Sequence, residues 1–100
     1  MNKNKKGYNG WTNYETWACN LWMTNNEGDY DFFTDMAGEI TDDEKIPAKS
    51  KAHRLADKMK ETIEYSNPLI DKADMYSDLI NSAIGNINFD EIAEHFLGEL

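Results

Sequence analysis

The chain has 100 residues, 40% of them hydrophobic, and a formal net charge of −9 at pH 7. This length predicts one domain, residues 1–100, and the lone Cys19 excludes an intramolecular disulfide and favours a reducing compartment. No apolar run approaches the roughly 18 residues of a membrane-spanning helix, and the basic start of the chain lacks the apolar segment of a signal peptide. We expect residues 1–9 to form a flexible basic tail.

Charge is segregated along the sequence. Residues 7–44 contain nine acidic residues and no Lys or Arg, and residues 73–100 contain six more acids and again no base. Most of the bases lie in residues 45–60. A surface of one sign repels nucleic acid and anionic membranes and attracts basic protein surfaces.

The first predicted helix follows Thr12, which together with Glu15 has the capping-box pattern. Large apolar residues recur at helical spacing, and we expect most of this stripe to face the core: Trp11, Tyr14, Trp17, Ala18, Leu21 and Trp22. The opposite face carries no charge, which is unusual for a solvated face: Thr16, Cys19, Asn20 and Met23. The helix is predicted to end near residues 25–28.

A second helix is predicted after Asp29, which is its expected N-cap. Its buried side is expected to comprise Phe33, Met36, Ala37 and Ile40. The acids Asp31, Asp35 and Glu39 recur every four residues on the outer side, and the polar connection that follows adds Asp42, Asp43 and Glu44.

A third helix is predicted over residues 47–65, with Pro47 in its first turn. Its apolar stripe comprises Ala52, Leu55, Ala56, Met59 and Ile63. Its bases comprise Lys49, Lys51, Arg54, Lys58 and Lys60. These bases have the chemistry to grip a phosphate backbone, but the net charge of −9 favours neutralisation of acids within the fold or between subunits.

A fourth helix is predicted from Pro68 to Gly85. We expect its buried stripe to comprise Leu69, Ala73, Tyr76, Ile80 and Ala83, and an outward acidic row to comprise Asp71, Asp74 and Asp78. A short last helix begins after Asn88 and buries Ile92, Ala93, Phe96 and Leu97. Since no stretch alternates with period two, we predict an all-α fold, a compact bundle of four to five short helices.

No pattern indicates catalysis. His53 and His95 lack further ligands at helical spacing other than acids, and the Glu91–His95 pair is more typical of an ion pair than of half a metal site. Cys19 has no basic neighbour in sequence and is expected to be an inert thiol. The acidic clusters do not match the twelve-residue calcium loop, and phosphate-binding and nucleophile-elbow motifs are absent. We therefore predict a protein that is not an enzyme and that binds neither cofactor nor metal.

The two ends of the chain resemble a family of short uncharacterised proteins that bacteriophages and other mobile elements encode. The resemblance is carried by residues 10–17, Gly-Trp-Thr-Asn-Tyr-Glu-Thr-Trp, with Asn20-Leu21-Trp22 and residues 25–28, and by residues 87–94, Ile-Asn-Phe-Asp-Glu-Ile-Ala-Glu. It implies an accessory protein made in a bacterial cytoplasm. The charge pattern is similar to that of small acidic inhibitors of CRISPR effectors and restriction enzymes.

The leading functional hypothesis is therefore an anti-defence protein, of anti-CRISPR or antirestriction type, that binds a basic host effector in place of DNA. Acids three or four apart on a helix are spaced about 5–6 Å, comparable to phosphates along a strand. The expected partner-binding residues are Asp31, Asp35, Glu39, Asp42, Asp43, Glu44, Asp71, Asp74 and Asp78. The alternative is a non-enzymatic phage regulator or adaptor that acts through protein contacts, homodimeric contacts among them. If the acidic faces are not the interface, the uncharged face of the first helix is the better candidate. A small enzyme ranks third.

Overall fold

The computed structural model describes residues 7–98, which fold into one compact all-α globule and confirm the predicted fold class. The elements are α1, Tyr14–Asn25; α2, Glu27–Asp42; a 3₁₀ turn, Ala48–Ser50; α3, Lys51–Tyr65; α4, Met75–Gly85; and α5, Phe89–Gly98. Over this range the only β-type pairing is an isolated bridge between Tyr8 and Trp11. None of these helices is long and apolar enough to cross a membrane.

The core lies where α2, α3 and α5 meet, and α1 covers one side of it. The apolar stripes predicted for α2, α3 and α5 are confirmed, because their central residues are buried. These comprise Phe33, Ala37 and Ile40; Leu55, Ala56 and Met59; and Ile92, Ala93 and Phe96. The Phe96 ring centroid lies 6.2 Å from that of Tyr30 and 6.4 Å from that of Phe33, which joins α5 to α2.

Asparagines, not the predicted residues, cap the first two helices. The side-chain oxygen of Asn13 accepts a hydrogen bond from the Thr16 N–H at 2.9 Å, and that of Asn26 accepts one from the Asp29 N–H at 3.0 Å. The predictions of Thr12 and Asp29 as caps are wrong because asparagine is at least as good a cap and occurs earlier in the second case. A single residue therefore separates α1 from α2.

Lys51, at the start of α3, closes the far end of α2. Its Nζ donates hydrogen bonds to the backbone carbonyls of Ile40, Thr41 and Asp43 at 2.8–2.9 Å. The last carbonyls of a helix have no partner within the helix. Those of Ile40 and Asp43 also accept the N–H groups of Asp43 and Ile46, so the lysine adds a second donor there and supplies the partner that the Thr41 carbonyl would otherwise need from water. It also favourably places a positive charge at the negative end of the helix dipole.

Residues 7–9, which the sequence assigned to the tail, fold back onto α1. The Gly7 N–H donates to the Thr12 carbonyl at 3.2 Å, and Tyr8 and Trp11 exchange two backbone hydrogen bonds. An alanine Cβ at Gly7 would lie 2.6 Å from the Thr12 carbonyl oxygen, so the turn requires glycine there. Residues 1–6 of the expected tail lie outside the described residues.

The two faces of α1 are the reverse of the prediction. Thr16 and Met23 are buried, whereas Tyr14 and Trp22 of the aromatic stripe are 54% and 72% exposed. Helical spacing alone identifies two uncharged faces and does not say which one meets the core. Thr16 is accommodated inside because its hydroxyl is fully hydrogen-bonded. The uncharged face is therefore not free to serve as the alternative interface.

The fourth helix begins seven residues later than predicted. Residues 67–72 form hydrogen-bonded turns, in which the buried Asn67 accepts from the Leu69 N–H at 2.9 Å. Asp74 then caps α4 by accepting from the Ser77 N–H at 2.8 Å. Of the expected buried stripe, Tyr76 and Ile80 are exposed, so this part of the prediction is wrong.

Candidate protein-binding surfaces

All nine acids that the sequence selected are exposed, but they do not form one surface. Six belong to α2 and the connection after it, and we call them the acidic ridge: Asp31, Asp35, Glu39, Asp42, Asp43 and Glu44. Along α2 the first three rise by about 6 Å each. The Asp43 carboxylate also accepts from the Lys45 N–H at 2.9 Å, which shapes the turn that ends the ridge.

The other three acids do not form the expected row on a helix. Asp71 lies in the turns before α4, Asp74 is the N-cap, and Asp78 lies in the first turn. One oxygen of the Asp74 carboxylate is engaged by the backbone, so this residue has a structural role as well as its charge. The acidic ridge is therefore the larger and more regular of the two groups.

A groove between α2 and α3 lies beside the acidic ridge. Its lining combines an apolar floor with carboxylates and one ammonium group: Phe32, Asp35, Met36, Glu39, Lys58, Glu61 and Thr62. Phe32 is 52% exposed, although it is a large apolar residue. An aromatic ring beside several carboxylates matches a Lys or Arg side chain, whose stem packs on the ring while its charge meets the acids.

Sequence reasoning missed Phe32 and Glu61 as members of this site. The sequence contained the pattern that identifies Phe32, since Asp35, Met36 and Glu39 lie three, four and seven residues after it and so share its face of α2. Glu61 is brought to the groove by the packing of α3 on α2. No local pattern predicts that packing.

The bases of α3 do not form a continuous basic surface. Arg54 and Lys58 lie on one side of the helix and Lys60 on the other, as the helical repeat requires. The acids Asp57, Glu61 and Glu64 lie between them and are exposed. Within residues 7–98, no carboxylate lies within 4.0 Å of a Lys or Arg nitrogen on this helix, so direct ion pairs do not supply the neutralisation within the fold; neutralisation between subunits stays a prediction.

His53 is the residue of α3 that contacts acids directly. Its Nδ1 lies 3.2 Å from the Asp90 carboxylate of α5, and its Nε2 lies 3.8 Å from that of Asp57. Because the imidazole is 73% exposed, these contacts are weak.

The two end motifs meet in a hydrogen-bonded junction between α1 and α5. Asn88 donates its N–H to the Thr16 hydroxyl at 2.8 Å and its side-chain amide to the Thr12 hydroxyl at 3.2 Å. The Thr12 N–H donates to the Glu91 carboxylate at 3.0 Å, and the Asn13 amide donates to the Asn86 carbonyl at 2.7 Å. The motif residues that form the junction therefore have a structural role: Thr12, Asn13, Thr16, Asn88 and Glu91.

The aromatic residues of the first motif form a partly exposed cluster on the outside of α1. The Tyr8 ring centroid lies 5.2 Å from that of Tyr14 and 5.0 Å from that of Trp17, and those two lie 5.7 Å apart. Trp17 is only half-buried, which is less burial than the sequence analysis expected. The rings of this cluster cover one another in part.

The remaining candidates for chemistry are unremarkable. Trp11 packs on the His95 ring at a centroid distance of 5.2 Å, in a shallow depression that Glu91 and Glu94 also line. Burial raises the pKa of the Cys19 thiol to about 11, so this thiol is protonated and unreactive at neutral pH. Across residues 7–98, no three His, Cys, Asp or Glu side chains converge in a metal-binding arrangement.

Comparison with known proteins gives a family but no function. No curated protein and no solved structure matches the chain. The model of a family of unknown function, DUF7249, matches residues 4–95, a range that includes both end motifs, the junction they form and the acidic ridge. The chain belongs to this family.

Proposed function

We propose that the protein is a non-enzymatic anti-defence protein of a phage or mobile element. In the host bacterial cytoplasm it binds a basic nucleic-acid site on a CRISPR effector or restriction enzyme and blocks DNA binding. The observation that carries this proposal is the groove beside the acidic ridge, where exposed Phe32 and the carboxylates of Asp35, Glu39 and Glu61 line the same space. Such a site takes an Arg or Lys that otherwise contacts a phosphate.

The distribution of charge also supports binding to a basic partner. The acidic ridge carries six carboxylates; Lys45 directly follows it in sequence, and the next bases lie on the 3₁₀ turn and α3. Like charges at this density destabilise the free protein slightly, and a basic partner relieves that cost. Long-range attraction also speeds association with such a partner.

The test is protection of an infecting phage in bacteria that carry defined CRISPR or restriction systems. Expression of the wild-type chain should raise plating efficiency by at least about tenfold in a sensitive strain. Asp35→Lys with Glu39→Lys should abolish protection, because removing charges from a desolvated cluster costs about 2–5 kcal/mol of binding. The matched control is Glu64→Lys with Glu94→Lys, which changes the net charge equally outside the ridge and should protect like the wild type.

Binding to the purified effector should also weaken as salt rises, since charge attraction is screened. Protection that survives the ridge double variant, or affinity that is indifferent to salt, would show that the acids serve only solubility. An adaptor or regulatory role would then be the better function. The exposed apolar side chains of α4 favour that alternative as a second activity of the same molecule.

A further inference from the structure

Helix α4 presents four large apolar side chains to solvent. Met75, Tyr76 and Leu79 are 63%, 65% and 61% exposed, and Ile80 is 39% exposed. Their spacing places them on one contiguous side of the helix, which we call the α4 apolar face. The half-buried Ala83 continues this face toward the C-terminal end of α4.

Within residues 7–98, no other element covers this face. Among the five helices, α4 packs least against the others, and its buried residue is Ser77, whose hydroxyl donates to the Leu69 carbonyl at 3.3 Å. Ile84, on the same inner side, packs on the core. A helix of 11 residues is marginally stable in water unless tertiary packing supports it. A partner packed on the exposed side of α4 would therefore stabilise the helix itself.

The α4 apolar face is large enough to contribute to a specific interface. If a fully exposed large side chain offers roughly 200 Å², the four residues together expose roughly 450 Å². That is within the range of the largest patches on monomeric proteins, which are often functional. Two such faces in contact would cover roughly 900 Å², and the polar rim around them would bring the total near the lower bound for a specific interface.

The distribution of charge on α4 selects a second copy as the occupant. The C-terminal half of the helix, residues 79–85, is uncharged, and Asp74 and Asp78 belong to the N-terminal end. Asp78 lies about 130° around the helix from the centre of the apolar face, so it points away from anything packed there. A basic partner would find no carboxylate within this face, whereas an identical face matches it.

We propose that the protein forms a symmetric dimer in which the α4 apolar faces of two copies pack antiparallel. The antiparallel arrangement places the acidic end of each α4 beside the uncharged end of the other, whereas a parallel one would align both pairs of acids. Isologous twofold dimers are the commonest symmetric assemblies. The acidic ridge belongs to α2 and the connection after it, so the two proposed surfaces lie on different elements.

Sedimentation equilibrium of the whole chain across micromolar to submillimolar concentrations tests the dimer. We expect the mass to rise from 11.5 kDa toward twice that value. Since each copy carries a charge of −9, the dimer should strengthen as salt rises. This salt dependence is opposite to that expected for binding a basic effector, so failure of one proposal is distinguishable from failure of the other.

Introducing a charged side chain into the α4 apolar face should dissociate the dimer. Leu79→Glu should weaken the dimer by roughly tenfold or more, with the helical circular dichroism spectrum unchanged because the residue is exposed. The matched control is Tyr65→Glu, which adds the same charge at a residue that is 84% exposed outside the face, and it should dimerise like the wild type.

Disulfide trapping gives an independent readout if Leu79→Glu does not fold. In a Cys19→Ala background, Leu79→Cys, near the centre of the face, should form an intermolecular disulfide much faster than Tyr65→Cys. Met75→Cys, at one end of the face, should cross-link slowly in the antiparallel dimer. Fast cross-linking through Met75→Cys would overturn the antiparallel arrangement.

A wild-type chain that stays monomeric at the highest concentration would refute the dimer. Equal association of the wild type and Leu79→Glu would place the self-interface elsewhere. If the chain is monomeric and Leu79→Glu instead abolishes binding to the effector, the face belongs to that partner and the proposal is wrong.

Discussion

Thr16 is a polar residue with no exposed surface, yet it belongs to the interior of this protein. Its hydroxyl donates to the Asn13 side-chain oxygen at 2.6 Å and accepts the Asn88 N–H at 2.8 Å. Both roles of the hydroxyl are therefore satisfied, and α1 is tied to the start of α5. The local sequence around Thr16 does not predict its burial, because Asn88, whose N–H the hydroxyl accepts, lies 72 residues away.

Replacing Thr16 with valine should lower the free energy of unfolding by about 2 kcal/mol. Valine has nearly the same shape, so the loss comes from leaving the half-buried Asn88 N–H without a partner and from removing one of the two hydrogen bonds that the Asn13 side-chain oxygen accepts. Urea unfolding followed by tryptophan fluorescence measures the change. Thr16→Ser keeps the hydroxyl and should cost less than Thr16→Val.

The matched control is Thr62→Val. Its hydroxyl donates to the Lys58 carbonyl of the same helix at 2.9 Å and links no two elements. We expect a change within about 0.5 kcal/mol. Equal losses at Thr16 and Thr62 would mean that the junction contributes nothing special to stability.

The buried Cys19 thiol makes stability fall at high pH. Burial raises the pKa of this thiol to about 11, whereas an unfolded cysteine ionises near pH 8.5–9. The contribution is complete below the unfolded value and is lost as pH rises toward the folded one, because the unfolded chain releases its proton first. Relative to Cys19→Ala, the wild type should lose about 2 kcal/mol between pH 8 and pH 11. Parallel pH profiles for the two proteins would show that the thiol is accessible to water.

At the scale of elements, α2, α3 and α5 were predictable because charged and apolar residues occupy different faces of each. On α1 the apolar residues lie on all sides, so periodicity located the helix but could not orient it. Helix α4 has more large apolar residues than the core buries, and the sequence analysis placed two of the exposed ones, Tyr76 and Ile80, in the interior. The structure shows that a short helix with few internal neighbours can leave such residues outside.

The C-terminal end of α2 is stabilised by Lys51, and a substitution there tests this contribution. Lys51→Met keeps the apolar stem but removes three hydrogen bonds to the last carbonyls of α2, and it should lower the free energy of unfolding by about 1–2 kcal/mol. Thermal unfolding followed by circular dichroism measures this loss. Lys49→Met, which removes an exposed ammonium from the preceding 3₁₀ turn, should be nearly neutral. A neutral Lys51→Met would mean that water caps α2 equally well.

At the scale of the whole molecule, the sequence located the acids of the candidate site but not its shape. Segregated charge predicted that the nine acids would be exposed, and they are. The groove depends on α3 packing beside Phe32, and the separation of the α3 bases by Asp57, Glu61 and Glu64 depends on the way that helix is turned. Tertiary packing sets both features, and the local pattern does not contain it.

We predict that the protein does not bind nucleic acid directly. Acids interrupt the basic side of α3, and the surrounding surface repels phosphate. A gel-shift titration with single-stranded and duplex DNA at physiological salt should show no complex at micromolar protein. A shift that disappears in Arg54→Ala with Lys58→Ala would instead make α3 the functional surface.

The junction between the two end motifs also constrains how the chain reaches its native state. Its hydrogen bonds join residues separated by 72–79 positions, so the chain must be synthesised as far as residue 91 before all of them can form. Closing so long a loop has a substantial entropic cost, which slows folding relative to a bundle whose contacts are all local. A nascent chain that lacks residues 86–91 leaves the polar interior of α1 unsatisfied. The junction thus ties the burial of Thr16 to the synthesis of residues 86–91.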